Sequence, residues 1–131
     1  MSGSLLDTSI LIGPAPSAGA ELPPSAAISV VSLAELHAGV LLARDDDTRD
    51  ARRLRLQAIR GAFAPLDVDE TVAERYGEVL AVARAEGRTA KATDLLIIAT
   101  AAAHGRKLHT RDERQAGLAR AAGVTVDLVV A

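Results

Sequence analysis

TDLLIIATAAAHGRKLHTRD, the stretch from Thr93 to Asp112, decides how this chain folds. Its first part is apolar on nearly every side from Leu95 to Ala103, which is typical of a helix buried between two layers. Thr93 is placed to cap that helix and Gly105 to end it, and residues 107–110 then resemble a short strand. Because the apolar run is far shorter than the roughly 20 residues of a membrane span, it predicts a buried core helix.

Two acids flank this unit. Asp94 falls in the first turn of the predicted helix, and Asp112 lies just past the predicted strand. In a helix-on-sheet domain with parallel strands, these two positions share the edge where ligands bind. Each acid also has a purely structural interpretation, since Asp94 suits a helix start and Asp112 suits a turn. The choice depends on the rest of the chain.

Composition limits the function classes. A chain of 131 residues is expected to form a single domain over residues 1–131, with a core of its own. It holds one Phe, one Tyr and no Cys, which excludes cysteine chemistry and argues against base-stacking platforms. No secretory signal is apparent at the start, so a cytoplasmic protein with no membrane segment is expected.

Charge is distributed unevenly along the chain. The net charge of −2 argues against a protein that coats nucleic acid. Arginines nevertheless crowd the segment 49–60, directly after the acidic run 45–47. Such local basic surface is compatible with a nucleic-acid substrate without requiring one.

Strand and helix patterns alternate along the chain. The predicted strands are Ser4–Leu6, Ala27–Val31, Phe63–Val68, 107–110 and Val124–Val130, with a loop over Gly13–Ser25. Helices are predicted between them, including one from about Arg49 to Arg60 that faces Ala51, Leu54, Ala58 and Ile59 inward. This alternation predicts an α/β domain with a mostly parallel, five-stranded sheet covered on both faces.

Glu35 has two interpretations. Ser32-Leu33-Ala34-Glu35 matches a capping box, in which the Ser and Glu side chains bond the free backbone N–H groups of a helix start. Glu35 also opens a helix that follows a strand, which is a position for a functional acid. The two roles compete, because a carboxylate folded back on its own helix is less free for a metal.

Four acids therefore point to one end of the predicted sheet. Asp7 directly follows the first strand, and it joins Glu35, Asp94 and Asp112. Carboxylates gathered in one cleft repel each other, and a divalent cation removes that conflict. Oxygen ligands suit Mg²⁺, with Mn²⁺ as a substitute, and such a site activates water against a phosphodiester.

Four segments carry a family resemblance. LLDTSILI (Leu5–Ile12), ISVVSLAELHAGV (Ile28–Val40), ATDLLIIATAAAHG (Ala92–Gly105) and LHTRD (Leu108–Asp112) resemble the successive motifs of PIN-domain ribonucleases. The VapC-type toxins of bacterial toxin–antitoxin pairs are the most similar group. The match keeps the family's order and extends over most of the chain.

The resemblance implies a PIN-like, three-layer α/β/α sandwich and a Mg²⁺-dependent endoribonuclease. Asp7 and Asp94 would be the firmest metal ligands, and Asp112 would complete the metal site. Thr110 would orient Asp112 or a water molecule, and Glu35 would act behind the metal or as a general base. The family further implies an RNA substrate, a homodimer and a cognate VapB-like antitoxin that silences the enzyme.

One departure from the family pattern concerns the end of the site. Many members carry a further acid and a Phe a few residues after the position of Asp112. This chain has Gln115 and Ala116 at those places, which puts a second metal ion in doubt.

Other functions are weaker candidates. One is a catalytically inactive PIN-like binding module, in which the acids serve only as helix caps. Another is an Asp-phosphoacceptor signalling domain, but Thr8 rather than an acid follows Asp7, and Lys107 stands at the start of its strand. The segment Gly87–Thr93 lacks the pattern of a phosphate-binding loop. The three histidines show no metal-ligand spacing and are expected to have surface or packing roles.

Overall fold

Five strands and six helices alternate in the computed structural model, within its described residues 3–13, 23 and 25–130. They are β1 Ser4–Leu6, α1 Thr8–Ile12, β2 Ala26–Ser29, α2 Val30–Leu41, α3 Asp46–Ala62, β3 Pro65–Leu66, α4 Glu70–Ala85, α5 Ala92–Ala103, β4 Lys107–Thr110, α6 Glu113–Ala121 and β5 Val126–Leu128. The predicted α/β class is confirmed. Most of the predicted loop over Gly13–Ser25 lies outside the described residues.

The sheet has the strand order β3-β2-β1-β4-β5, and every pair of neighbours is parallel. β1 is the central strand, and Leu6 pairs in register with His109 of β4. Because the strands are all parallel, their carboxyl ends meet at one edge of the sheet. Each connection that leaves that edge begins beside the others, as in open α/β sheets that bind ligands there.

Consecutive residues of the central strands point to opposite faces. Leu5 packs with α4, α5 and α6 on one face, whereas Leu6 packs with α2 and α3 on the other. β2 repeats this alternation, with Ala27 on the first face and Ile28 on the second. Both faces are therefore covered, which is the three-layer α/β/α arrangement, and burial on both sides explains why the strands are apolar throughout.

The buried helix predicted from the first stretch is α5. Ile97, Ile98, Ala99 and Ala101 have no exposed surface. The predicted cap is wrong, because the helix begins at Ala92 and its N-cap is Lys91, which makes no side-chain capping bond. Thr93 lies inside the first turn, and Asp94 does fall in that turn as predicted.

The capping box at Ser32 is also wrong. β2 ends at Ser29, whose hydroxyl accepts a hydrogen bond from the backbone N–H of Val31 at 3.0 Å. α2 therefore begins at Val30, within the predicted strand, and Ser32 is its third residue. Glu35 lies in the second turn of α2, where no free backbone N–H of the helix start needs it. Its carboxylate is therefore available for another partner.

Three further elements differ from the prediction in their bounds. α3 is longer than predicted and turns Leu56 and Ile59 inward, each 8% exposed, whereas Leu54 is 68% exposed. Ala51 and Ala58 are also exposed rather than inward. The third strand is limited to Pro65–Leu66 because it pairs with β2 alone at the edge of the sheet. β5 likewise covers only part of the predicted 124–130 segment.

Gly105→Ala is expected to lower the free energy of unfolding by about 1 kcal/mol. Gly105 has a φ of +60°, and the N–H of Arg106 bonds the carbonyl of Ala101 at 2.9 Å, which is the Schellman ending of α5. A methyl group at residue 105 would meet nothing within 4 Å, so the cost arises from the backbone angle alone. Urea denaturation followed by circular dichroism measures it.

Gly77→Ala is the matched control for this prediction. Gly77 lies in the middle of α4, and an added methyl group there also meets nothing within 4 Å. Alanine should stabilise this helix by about 0.5–1 kcal/mol, since its helix propensity exceeds that of glycine. If both variants shift stability in the same direction, the account of the helix end is wrong.

Candidate active site

All four predicted acids line one cleft at the carboxyl edge of the sheet. Asp7 follows β1, Glu35 lies on α2, Asp94 lies in the first turn of α5 and Asp112 precedes α6. The cleft has a volume of about 900 Å³. Gln115 also lines it, at the position where the family resemblance expects an acid. Parallel strand direction thus gathers side chains that are up to 105 positions apart in the chain, from Asp7 to Asp112.

Asp7 is the most buried of the four, with 5% of its surface exposed. It is the N-cap of α1, and its Oδ2 accepts the backbone N–H of Ser9 at 3.0 Å. Its Oδ1 accepts a hydrogen bond from Nε2 of Gln115 at 3.0 Å. Both carboxylate oxygens are therefore held by N–H donors, which compensates the cost of burying the charge.

Thr110 lies fully buried beside Asp7. Its Oγ1 is 2.6 Å from Oε1 of Gln115 and 3.2 Å from Oδ2 of Asp7, and it accepts the backbone N–H of Asp112 at 3.1 Å. The hydroxyl thus contacts the backbone of Asp112 rather than its carboxylate. This differs from the expected orientation of the Asp112 side chain. Thr110 instead links the two chain segments that carry Asp7 and Asp112.

Glu35 faces the start of α1 across the cleft. Its Oε1 accepts a hydrogen bond from the Thr8 hydroxyl at 2.6 Å, and the same hydroxyl lies 2.8 Å from the fully buried Oγ of Ser32. Ser32 then serves as a partner of Thr8, not as a helix cap. Thr8 and Ser32 support the site and were missed as functional residues. The available signal is that a Thr follows Asp7 and that Ser32 precedes Glu35 by three positions, on the same helix face.

Asp94 carries the electrostatic signature of the cleft. Burial, followed by repulsion from Asp7, Asp112 and Glu35, raises the pKa of Asp94 from 3.8 to about 6, against a smaller opposing effect of Lys91. No hydrogen bond joins its carboxylate to any residue within the described ranges. The group therefore senses the other three acids through space, as a shared site requires.

Asp112 is the most exposed of the four acids. It is the N-cap of α6, and its Oδ1 accepts the backbone N–H groups of Arg114 at 2.9 Å and of Gln115 at 3.3 Å. The competition between capping and metal binding that the sequence suggested for Glu35 thus applies to Asp112 and Asp7. A carboxylate offers about four acceptor positions. In both residues, acceptor positions therefore remain for a metal ion after the capping hydrogen bonds are made.

The donor set fits a hard cation such as Mg²⁺. Every acid in the cleft offers oxygen, and their mutual repulsion is relieved by positive charge. In residues 3–13, 23 and 25–130, no three Asp, Glu or His side chains are arranged to ligate one ion together. This agrees with the habit of Mg²⁺, which keeps several waters and takes only one or two protein carboxylates directly.

Basic side chains border the acids. Arg88, Lys91 and Arg114 line the same cleft. The Arg88 guanidinium donates to Glu86 Oε1 at 2.8 Å and passes so close over Gly117 that an added methyl there would lie 3.0 Å from Nη1. A rim of cations around an acidic floor suits a polyanion whose phosphates contact the rim.

His109 is buried against Ser4 and Asp127. Its Nε2 lies 3.1 Å from Ser4 Oγ, and its Nδ1 lies 3.4 Å from Asp127 Oδ2. Burial lowers the pKa of His109, which Asp127 partly offsets. A packing role was expected and fits this position. Lys107 lines a different cavity, at the amino ends of the strands, so the geometry that a phosphoacceptor site requires is missing from this cleft.

The pH dependence of stability follows from Asp94. The pKa of Asp94 in the folded protein lies above the ordinary value of 3.8. The contribution of this residue to the free energy of unfolding is therefore fully present below pH 3.8 and is lost as pH rises through about 6, where the buried carboxyl group ionises. Asp94→Asn avoids that loss. In metal-free buffer the variant should therefore match the wild type near pH 4 and exceed its stability above pH 6. Half-exposure and solvent screening keep the gain on the order of 1 kcal/mol.

Chemical denaturation of both proteins at several pH values measures this difference. Groups outside the cleft are the same in both proteins, so the comparison isolates Asp94 together with the acids that repel it. A stability difference that does not vary with pH would show that Asp94 does not interact with the other acids as described.

Comparisons with known proteins agree with this geometry. A model of the PIN domain matches residues 4–122. Ribonuclease VapC4 of Mycobacterium tuberculosis is 35% identical over 130 residues, which span 94% of this chain and 96% of that protein. Ribonuclease VapC5 of the same organism is 33% identical over 130 residues, spanning 95% and 94%.

Solved structures give the same relationship. The chain superimposes on VapBC-5 of Mycobacterium tuberculosis, a member of the VapBC family of toxin–antitoxin systems, with a TM-score of 0.85 at 33% identity, covering 96% of this chain and 98% of that one. For FitAcB of Neisseria gonorrhoeae the TM-score is 0.76 at 32% identity, covering 93% and 94%. Sequence, fold and the place of the acids lead to one conclusion: the chain belongs to the PIN-domain family and is similar within it to the VapC ribonucleases.

Proposed function

We propose that this protein is a Mg²⁺-dependent endoribonuclease toxin of the VapC type. One observation carries the proposal: four carboxylates from four separate segments line one cleft, where burial and then repulsion from the other three raise the pKa of Asp94 to about 6. Four unneutralised acids are costly unless a cation offsets their charge. The named ribonucleases among the relatives supply the reaction class.

Each acid has a defined part in the proposal. Asp7 and Asp94 would hold the cation directly, and Asp112 would complete the site through a bound water molecule. When bound, Mg²⁺ supplies Lewis-acid stabilisation of charge on a phosphodiester and lowers the pKa of water. Glu35, held at one oxygen by Thr8, is the candidate general base through the other oxygen. Arg88, Lys91 and Arg114 would hold RNA phosphates on either side of the cut.

Metal dependence is the test of this function. The purified chain should cleave a labelled single-stranded RNA internally in millimolar Mg²⁺ or Mn²⁺ and should stop when EDTA removes the metal. A cation that binds only the folded state stabilises it by about 2.7 kcal/mol at a hundredfold excess over Kd. The melting temperature should therefore rise with Mn²⁺ in the wild type and scarcely change in Asp94→Asn.

Three results would contradict the proposal. Cleavage that persists in EDTA would exclude metal-dependent chemistry. Equal thermal shifts in the wild type and Asp94→Asn would reveal nonspecific ionic effects. A protein that binds a partner but cuts no RNA under any metal would be the inactive binding module.

The partners proposed are an antitoxin and a second copy of the chain. The antitoxin is suggested by the solved relatives, whose descriptions name VapBC toxin–antitoxin systems and a toxin–antitoxin complex. Large apolar side chains are exposed at Leu41, Leu42 and Leu54, at the end of α2 and on α3, as a partner surface would require. We expect the protein to act in the cytoplasm, where cellular RNA would be its substrate. No helix among the described residues is both long and apolar enough to cross a bilayer.

A further inference from the structure

Gln115 is a buried amide that contacts the centre of the site. It is the third residue of α6, 3% of its surface is exposed, and its Nε2 donates to Oδ1 of Asp7 at 3.0 Å. Buried amides occupy such positions only when their polar atoms are satisfied. Here both ends of the amide have partners, Asp7 on one side and Thr110 on the other.

The orientation of the amide follows from the Thr110 hydroxyl. Thr110 Oγ1 accepts the backbone N–H of Asp112 and has a single proton to donate. The closest acceptor for that proton is Gln115 Oε1, at 2.6 Å, compared with 3.2 Å for Asp7 Oδ2. With the amide oxygen toward Thr110 that proton has a close acceptor, whereas the opposite orientation would set the amide oxygen against the Asp7 carboxylate. The NH₂ group therefore faces Asp7, whose Oδ1 accepts its hydrogen bond at 3.0 Å.

These bonds form one directed chain. It runs from the Asp112 N–H to Thr110, from Thr110 to Gln115, and from Gln115 to Asp7. The Ser9 N–H holds the other oxygen of Asp7. With one N–H donor on each oxygen, the plane of the Asp7 carboxylate is fixed, and the position of each oxygen is set before any ligand arrives.

We propose that Gln115 is a positioning residue that holds Asp7 so that Oδ1 presents one remaining acceptor position to the cation. The inference rests on the proposed function, because it assigns a role toward the same cation. A carboxylate at residue 115 would place negative charge against Asp7, whereas the amide orients Asp7 without adding charge. This chain thus replaces an acid of the family pattern by a donor that fixes the remaining acid.

Mn²⁺ binding to the RNA-free protein tests the role. Electron paramagnetic resonance of free Mn²⁺ during titration gives Kd and stoichiometry without any need for cleavage. Gln115→Met keeps the length of the side chain but removes the donor, and it should raise Kd about tenfold or more, as is usual for partners of metal ligands. Gln57→Met, on the exposed surface of α3, is the matched control and should leave Kd unchanged.

Thr110→Val and Thr110→Ser provide a second pair of variants. Valine removes the hydroxyl that orients the amide, so Kd should rise as in Gln115→Met. Serine retains the hydroxyl and should bind Mn²⁺ within about twofold of the wild type, because the bond to Gln115 survives. Circular dichroism melts show which of the variants are folded. If Gln115→Met is not folded, the two Thr110 variants test the positioning role in its place.

The outcomes separate this inference from the proposed function. If wild type binds Mn²⁺, Asp94→Asn does not, and folded Gln115→Met binds like Gln57→Met, the positioning role is overturned and the nuclease proposal stands. An unchanged Kd in Thr110→Val overturns the positioning role in the same way. If wild type does not bind Mn²⁺, or if Asp94→Asn binds it equally well, both proposals fail together.

Discussion

Asp94→Asn is expected to lower the rate of RNA cleavage by about 10³-fold or more while the protein remains folded. Asn preserves the shape of the side chain and removes the charge that would hold the cation. Loss of cation-based charge stabilisation amounts to several kcal/mol, and each 1.36 kcal/mol is a factor of ten in rate. The carboxylate bonds no residue of the described part of the chain, so the substitution breaks no hydrogen bond there. Cleavage of a labelled RNA in Mg²⁺ measures the loss, and growth inhibition on expression should disappear with it.

Asp47→Asn is the matched control for Asp94→Asn. Asp47 also lies in the first turn of a helix, α3, but it is exposed and outside the cleft. Its replacement removes the same charge and should leave cleavage within about twofold, as surface substitutions usually do. Cleavage by Asp94→Asn at the rate of Asp47→Asn would show that Asp94 and its cleft do not carry the reaction.

Asp7→Asn is a less clean experiment than the sequence suggested. Removing its charge should abolish cleavage as in Asp94→Asn, and relief of repulsion favours the folded state. Both oxygens of Asp7, however, accept N–H donors, from Ser9 and from Gln115. Asn has one oxygen and one NH₂ group, so one of those donors would face another donor. An unsatisfied buried group costs roughly 1–3 kcal/mol, and the variant should therefore melt below the wild type.

The fold was predictable because local patterns and global packing agree. Leu5 and Leu6 are both apolar because both faces of the sheet are covered, and α5 is apolar all round because it packs among the sheet, α4 and α6. Gly105 ends α5 at a positive φ that favours glycine. Once the strands are parallel, the shared location of acids at their carboxyl ends follows without further information.

The helix starts were not predictable to the residue. Ser29 and Ser32 are both candidates for the N-cap of α2. The capping-box pattern favours Ser32, because Glu35 follows it three positions later. A distant contact decides between them, since Ser32 bonds Thr8, which lies 24 positions away. The buried face of α3 was not predictable for the same reason. Leu54 and Leu56 each fit a helical pattern, and only packing against α2 determines which of them is buried.

The supporting residues of the site depend even more on distant contacts. Gln115 contacts Asp7 across 108 positions, and Thr110 contacts it across 103. An isolated Gln in a helix carries no sequence signal for such a role. The acids were identifiable because their residue type at a strand end predicts chemistry, whereas an amide or a hydroxyl acquires its meaning only from the neighbour that the fold supplies.

Glu35→Gln is expected to reduce cleavage by about 10²- to 10⁴-fold, the usual range for the loss of a general acid or base. The helix-capping explanation no longer competes, because Ser29 caps α2 and Glu35 lies in its second turn. The Gln oxygen can accept the Thr8 hydroxyl as Oε1 does now at 2.6 Å. Stability should therefore stay nearly constant, while the charge and basicity of the other oxygen are lost. Cleavage rates and urea denaturation curves give the two quantities.

Thr8→Val separates the acid from its support. Valine cannot donate to Glu35, so the carboxylate keeps its charge but loses the bond that fixes one oxygen, and cleavage should fall by about tenfold, less than in Glu35→Gln. Because Thr8 acts through Glu35, the double variant should cleave about as slowly as Glu35→Gln alone, as expected for residues in one hydrogen-bonded unit.

Activity of Glu35→Gln within threefold of wild type would show that Glu35 is not the base. In that case Asp94, whose pKa is raised to about 6 by burial and by the neighbouring acids, becomes the candidate base.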